Sequence, residues 1–169
     1  MSLQKALTLL ARWPAYAERF WWRSPDRPEL GCFGTGYNSW GVQTNQKFLG
    51  AVAALAADPA FDAQAAGMSR EAALARAVTA LRFSLDSHVT GSYQCTDGTR
   101  WGRTWISALG VERMMHGVDA ISEHLSDGDR AALRRVLVSE ADAQLAAPVL
   151  GTVWAADGGN KPESNIWNG

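Results

Sequence analysis

The chain has 169 residues, 47% hydrophobic and 20% charged, which suits one packed domain and is too apolar for a disordered chain. Sixteen basic and seventeen acidic residues give a net charge of −1, and the arginines are scattered along the chain. That excludes a nucleic-acid binder working by phosphate neutralisation and a polybasic membrane surface, while two cysteines exclude a disulfide scaffold.

The first segment reads MSLQKALTLLARWPAYA. Lys5, a short apolar stretch and Ala15-x-Ala17 resemble a secretory leader. The stretch is shorter than the ~7–15 residues such a leader needs, and Arg12 and Pro14 break the apolar character just after it. The pattern instead predicts a helix over 2–22, kinked by Pro14, and leaves the compartment unassigned beyond soluble. Residues 24–38 carry two Pro and three Gly and predict a loop. A second helix is predicted over 39–58, with Val42, Phe48, Leu49, Val52 and Leu55 on one side and Asp58-Pro59 as its stop. A third runs over 69–88, with Ser69 as N-cap. A Gly-rich loop at 90–103 leads to a fourth helix over 104–125, apolar enough to be buried on more than one side. Ser126 or Asp127 caps a fifth, amphipathic helix over 129–147, ended by Pro148. No segment alternates like a strand, so strand content is expected near zero. No run approaches the ~18 apolar residues of a membrane helix.

Three loops share a pattern. They are GCFGTGYNSWG at 31–41, SYQCTDGTRWG at 92–102 and WAADGGNKPESNIWNG at 154–169. Each ends in Trp followed by Gly or Asn at a helix start: Trp40-Gly41, Trp101-Gly102 and Trp167-Asn168. The period is about sixty residues, an αα-hairpin repeat. Connections alternate, so all three loops fall at one end of the helical layer. The pattern predicts an all-α fold: a partial α/α toroid of about five helices plus the start of a sixth, forming one domain over 1–169. Plain solenoid turns sealed by tryptophan are the other explanation, although loops this long are more often functional.

Gly-rich loops with Trp, Asn and Asp at a toroid mouth resemble the heparinase II/III-like polysaccharide lyases. Glu163-Ser164-Asn165-Ile166-Trp167-Asn168 resembles the Asn- and Trp- or His-containing helix start of those lyases. Asp97-Gly98-Thr99-Arg100-Trp101 is similar in style to sugar-binding loops of six-hairpin glycosidases. The resemblance implies a carbohydrate-active protein of which this chain is the N-terminal part. The family's catalytic His and Tyr lie on later helices than this chain carries.

Sugar recognition needs flat apolar faces and planar polar groups. Trp40, Trp101, Trp105 and Trp167 offer faces, and Trp105 lies one helical turn beyond Trp101. Asn38, Asn160 and Asn165 suit vicinal hydroxyls. Arg100 and Arg103 flank Trp101 and suit a uronate carboxylate, or else a solvated loop or a pair with Asp97. For a lyase, Asn165 or Asn38 would neutralise the carboxylate and Tyr37 or Tyr93 would take the C5 proton. For a hydrolase, Asp97, Asp157 and Glu163 are the available carboxyls. The catalytic candidates are therefore Asn165, Glu163, Asp97 and Tyr37. Tyr37, Trp40, Trp101, Trp105 and Trp167 are expected to share one concave surface. His88, His116 and His124 show no metal spacing, and His116 reads as a core or groove residue. No metal and no cofactor are expected. Glu112-Arg113 is either a buried pair or a cavity lining, and Cys32 and Cys95 sit in corresponding loops where they could face each other.

The expected function is binding or cleavage of an acidic oligo- or polysaccharide, with the remainder of a longer chain or a second copy covering the open end. The alternatives are a helical-repeat protein-interaction module without catalysis and a toroid acting on an apolar substrate, the latter disfavoured because no Asp-rich metal motif is present.

Overall fold

Pro14 decides how the N-terminus is built. In the computed structural model, which describes residues 3–104 and 106–146, the helix expected over 2–22 is divided. α1 (Leu3–Ala11) ends before Arg12, and α2 (Trp13–Ala17) starts afresh with Pro14 in its first turn, where a missing N–H is harmless. A 3-10 turn over Glu18–Phe20 comes next, and Trp21–Arg23 runs extended as β1. β1 pairs antiparallel with β2 (Gly31–Phe33), with Trp21 opposite Phe33 and Arg23 opposite Gly31. The expectation of almost no strand is corrected by this sheet. The reason lies in two adjacent tryptophans. Successive strand residues face opposite ways, so Trp21 reaches Phe48 and Trp22 reaches Phe83, at ring-centroid distances of 5.5 and 5.8 Å.

α3 (Trp40–Ala57) matches the predicted second helix and stops where Asp58 turns extended ahead of Pro59. All five residues predicted for its apolar side are buried, and so are Gln43, Asn45 and Gln46. A helix buried this widely must satisfy its polar side chains. Asn45 Oδ1 accepts the Phe33 N–H at 2.9 Å, and its Nδ2 donates to the Ala80 carbonyl at 2.9 Å and Ser84 Oγ at 3.1 Å. One amide thus ties the sheet to two helices.

A short helix, α4 (Ala63–Ala66), interrupts the connection 58–68. α5 (Arg70–Asp86) starts as predicted at Ser69, whose Oγ accepts the Ala72 N–H at 3.2 Å. α6 (Ser107–Ala120) is shorter than the predicted 104–125 and passes into a 3-10 turn at Ser122–His124. α7 (Asp127–Ala146) begins at a capping box: Ser126 Oγ accepts the Asp129 N–H and Asp129 Oδ2 accepts the Ser126 N–H, both at 3.1 Å. Asp129 also accepts two hydrogen bonds from Arg82, at 2.8 and 3.0 Å, joining α7 to α5.

α3 packs along both α5 and α6, while α7 touches α5 and α6. The α3–α6 approach is close because Gly117 has no side chain. A Cβ there would lie 2.9 Å from Leu49 Cγ and 3.0 Å from Gly50 backbone atoms. Beneath the sheet, Phe33 stacks on Phe48 at 5.0 Å, and Trp13 sits 5.5 Å from each. Of these three rings Phe48 is fully buried, which stabilises the fold by about 1.5–3 kcal/mol, while Trp13 and Phe33 are half-buried.

The fold is mostly helical, with one small antiparallel sheet. No described helix is long and apolar enough to cross a membrane. The third loop, its residues Asp157, Asn160, Glu163, Asn165 and Trp167, and the sixth helix expected after it lie outside the described residues, as does Trp105.

Candidate functional site

The first two Gly-rich loops lie side by side. The Thr96 N–H donates to the Gly36 carbonyl at 3.1 Å, and Thr96 Oγ1 donates to the Thr35 carbonyl. The Asn38 N–H donates to Asp97 Oδ2 at 2.9 Å, and Asn38 Nδ2 donates to the Arg100 carbonyl at 3.1 Å. This brings Tyr37, Asn38 and Trp40 next to Asp97 and Arg100.

Much of the predicted chemistry is consumed in making that junction. Asp97 Oδ1 accepts the Thr99 N–H and hydroxyl at 3.1 and 2.8 Å while Oδ2 holds Asn38. Burial pushes the Asp97 carboxyl up, but the hydrogen bonds from Thr99 and Asn38 outweigh it and hold the group below the usual aspartate range. Such a carboxylate is a fastening for the loops. Asn38 is committed likewise, its Oδ1 accepting the Ser39 N–H at 2.6 Å.

The tryptophans part company. Trp40 is 55% exposed and Tyr37 54%, so both offer ring faces to a ligand. Trp101 is only 4% exposed. Its Nε1–H donates to the Ser84 carbonyl at 2.7 Å, and its ring meets His88 edge-on at 4.8 Å. It offers no face for stacking. Arg103 is held by its backbone N–H to Glu140 Oε1 at 2.7 Å and by Nε to Ser139 Oγ at 3.0 Å. Arg100 differs, since its guanidinium has no hydrogen bond or ion pair among the described residues.

Arg100 lines an open cleft of about 640 Å³ together with Trp22, Asp26, Tyr93, Cys95 and Thr96. The Tyr93 hydroxyl lies 2.9 Å from Ser24 Oγ and 3.0 Å from Asp26 Oδ1, which also accepts the Ser24 hydroxyl at 2.7 Å. Bonds from Ser24 and Tyr93 lower the Asp26 pKa, so the carboxylate stays ionised and accepts further donors. Burial raises the Tyr93 pKa above its ordinary value of 10.0. In this arrangement the Tyr93 hydroxyl donates to Asp26 Oδ1. Arg27 braces the cleft from behind, with Nη1 to Ser92 Oγ at 3.1 Å and Nη2 to Asp86 Oδ2 at 2.8 Å. Trp22 and Asp26 were missed by sequence reasoning. The only local signal was the turn Ser24-Pro25-Asp26, and Asp26 meets Tyr93 from 67 positions away.

A second feature missed by sequence reasoning is buried. His88 is wholly inaccessible, and its Nε2 lies 2.8 Å from Glu140 Oε1. Nδ1 accepts the Thr90 N–H at 3.2 Å, which assigns the ring proton to Nε2 and makes Nε2–H the donor to Glu140. Gly102 is required here. A Cβ would collide with His88 Nε2, and its φ of +124° disfavours any side chain. The pair fastens the second loop to α7.

Cys32, on β2, and Cys95, in the second loop, are free thiols, both buried. Burial pushes Cys32 up to about 12 and Cys95 up to about 11. His116 is an exposed residue paired with Glu112 one turn away at 2.9 Å, which corrects its assignment to core or groove. Glu112 and Arg113 are not a buried pair: Arg113 Nη1 donates to Gln43 Oε1 on α3. Among the described residues no group of three or more His, Cys, Asp or Glu side chains converges as a metal site.

No protein-family model, curated protein or solved structure matches this chain.

Proposed function

We propose that the cleft beside the second loop binds an acidic oligosaccharide, at the mouth of a partial α/α toroid of polysaccharide-lyase or glycoside-hydrolase type. One observation carries this. The uncommitted Arg100 guanidinium shares a 640 Å³ cleft with two aromatic side chains, Trp22 and Tyr93, and the ionised Asp26 carboxylate. Arg100 supplies bidentate recognition of a uronate, Asp26 accepts sugar hydroxyls and the rings supply apolar faces. Exposed Tyr37 and Trp40, joined to this loop through Asn38, extend the stacking surface. The toroid is supported by which helices touch. α3 pairs with α6, α5 with α7, and the hairpin partners α3–α5 and α6–α7 also meet, as alternating inner and outer helices do.

Calorimetry with a uronic-acid oligosaccharide and its neutral counterpart tests the reading. Arg100→Ala should weaken the acidic ligand by about 1.5–3 kcal/mol, the scale of a hydrogen bond to a charged group, and leave the neutral one unchanged. Absence of binding, or equal losses for both ligands, refutes it. Catalysis is tested by tracking unsaturated sugar and new reducing ends when the protein meets an acidic polysaccharide. The rival reading, a helical-repeat interaction module, draws its support from Trp101, which seals a hairpin. It predicts no sugar binding. The open end would be covered by the remainder of a longer chain or by self-association.

A further inference from the structure

Gln46 lies on α3 and is 1% exposed, yet its Nε2 has no hydrogen-bond partner. A buried donor without an acceptor is disfavoured, and in a native protein it points to something that supplies one. Gln46 is pinned in place: on α6, Gly110 leaves just enough room for its Oε1, and a Cβ there would collide with it. Gln46 is among the residues that line a narrow crevice of about 10 Å³, close to the space one oxygen-sized atom needs. Asn38, Ser39 and Thr104 also line it, and their partial or full exposure marks the end open to solvent. Its remaining polar walls include Gln43 and Ser107, both neutral.

A second observation falls on the same place. Ser39, with φ 64°, and Arg103, with φ 55°, are the non-glycine residues with positive φ among the described residues. Ser39 lines the crevice, and Arg103 sits between Gly102 and Thr104, which both line it. Non-glycine residues persist in that conformation where the surroundings hold them, and such positions cluster at ligand sites.

We propose that this crevice is a subsite for one neutral hydroxyl oxygen, which accepts a hydrogen bond from Gln46 Nε2. The lining carries amides and hydroxyls, with the Arg113 guanidinium behind Gln43, so the small size of the crevice and not its charge is what limits a ligand to one hydroxyl. The width admits a single oxygen rather than a ring, so a ligand enters with one hydroxyl while the rest of it lies outside, by Asn38 and Ser39. The same chemistry comes from two sources. One is a hydroxyl of the sugar, an assignment that rests on the function proposed above. The other is a held water.

The test compares the wild type with Gln46→Met, which keeps the volume and removes the donor. Two readouts are used: thermal unfolding without sugar, and calorimetric affinity for neutral and uronic-acid oligosaccharides. If a sugar hydroxyl fills the crevice, the variant binds both oligosaccharides about five- to tenfold more weakly, with no preference for the acidic one. If water fills it, the variant unfolds at a lower temperature without sugar and its affinities are unchanged. Either result supports the subsite, and both together support it with water displaced by sugar. An unfolding temperature that stays or rises, with unchanged affinities, overturns it, because removal of an empty orphan donor costs nothing. Arg100→Ala separates the two proposals. Loss of acidic-sugar binding in that variant, beside an indifferent Gln46→Met, retains the sugar site and removes the subsite. If wild type binds neither oligosaccharide, the sugar reading falls and the unfolding comparison alone decides for or against the water.

Discussion

Trp101→Ala should unfold the protein more readily rather than only weaken its hold on a ligand. The end of α5 leaves the carbonyls of Ser84, Leu85, Asp86 and the C-cap Ser87 without helical partners, and the second loop and its neighbours serve all four. The Ser87 carbonyl takes the Trp101 N–H at 3.2 Å. The Ser84 carbonyl takes Trp101 Nε1–H at 2.7 Å, the Leu85 carbonyl takes Arg135 Nη2 at 3.3 Å and the Asp86 carbonyl takes the Tyr93 N–H at 2.9 Å. Truncating Trp101 removes a buried ring and strands one of these acceptors. Trp→Ala in a core costs about 3–5 kcal/mol, a large share of the roughly 5–15 kcal/mol that holds a domain folded. At about 2–4 °C per kcal/mol for a chain of this size, the midpoint should fall by about 6–20 °C. Far-UV circular dichroism during heating reads it. Trp101→Phe refines the assay, since it keeps most of the apolar area and loses the donor, with an expected cost of about 1–3 kcal/mol. A midpoint within about 2 °C of wild type for Trp101→Ala would refute the sealing role and return the ring to the ligand surface.

Three further outcomes rest on single contacts. Asp129 is lowered from 3.8 to about 2, chiefly by the Arg82 hydrogen bonds; its stabilisation, about 2 kcal/mol, is therefore present above the unfolded value of ~3.9 and lost as pH falls through about 2. Denaturant unfolding of wild type and Arg82→Ala across that window should converge at the acid end, and parallel curves would contradict the assignment. Cys32 and Cys95, with thiols at about 12 and about 11, should resist a disulfide reagent in the folded protein and react once it is denatured, whereas rapid labelling in native buffer would show an open loop junction. Gly102→Ala should destabilise by about 1–3 kcal/mol or more through a strained backbone and the collision with His88, and an unchanged unfolding midpoint would show that the His88–Glu140 fastening is looser than 2.8 Å implies.

What the sequence made legible was decided within a few residues. Ser69 caps α5, Asp58-Pro59 stops α3 and Ser126 starts α7, because each signal acts on backbone groups within one turn. The helix over 2–22 failed for a longer-range reason. Trp21 and Trp22 each gain a separate aromatic partner, on α3 and on α5, only if the backbone runs extended, and neither partner is visible from local periodicity. The adjacency of the first two loops was legible as alternation of connections, but the fate of their residues was not. Trp40 and Trp101 hold equivalent places in the sequence pattern, yet Trp40 opens α3 and is exposed, while Trp101, expected at a helix start, lies ahead of α6 and is sealed. The difference is a carbonyl at the end of α5, which a spacing argument does not see. His88 and Glu140 meet across 52 positions with no motif to announce them.

Residue type therefore selects too many candidates in this protein, and hydrogen-bond accounting reduces them. Asn38, Asp97, Trp101 and Arg103 all have the chemistry of sugar recognition, and all four are occupied in holding the second loop against its neighbours. That occupation is what gives the loop a fixed shape. What the fold leaves unspent among the described residues includes the Arg100 guanidinium, the open faces of Tyr37 and Trp40, the ionised Asp26, the buried Gln46 and Trp21 donors and one buried carboxylate oxygen of Glu140. A buried donor without an acceptor costs free energy, whereas the exposed Arg100 guanidinium is solvated by water and a sealed tryptophan stabilises the fold without a ligand. Calorimetry on Arg100→Ala and Gln46→Met decides whether these two residues meet a ligand, while the Trp101–His88–Glu140 cluster holds the second loop against α5 and α7 whatever that outcome.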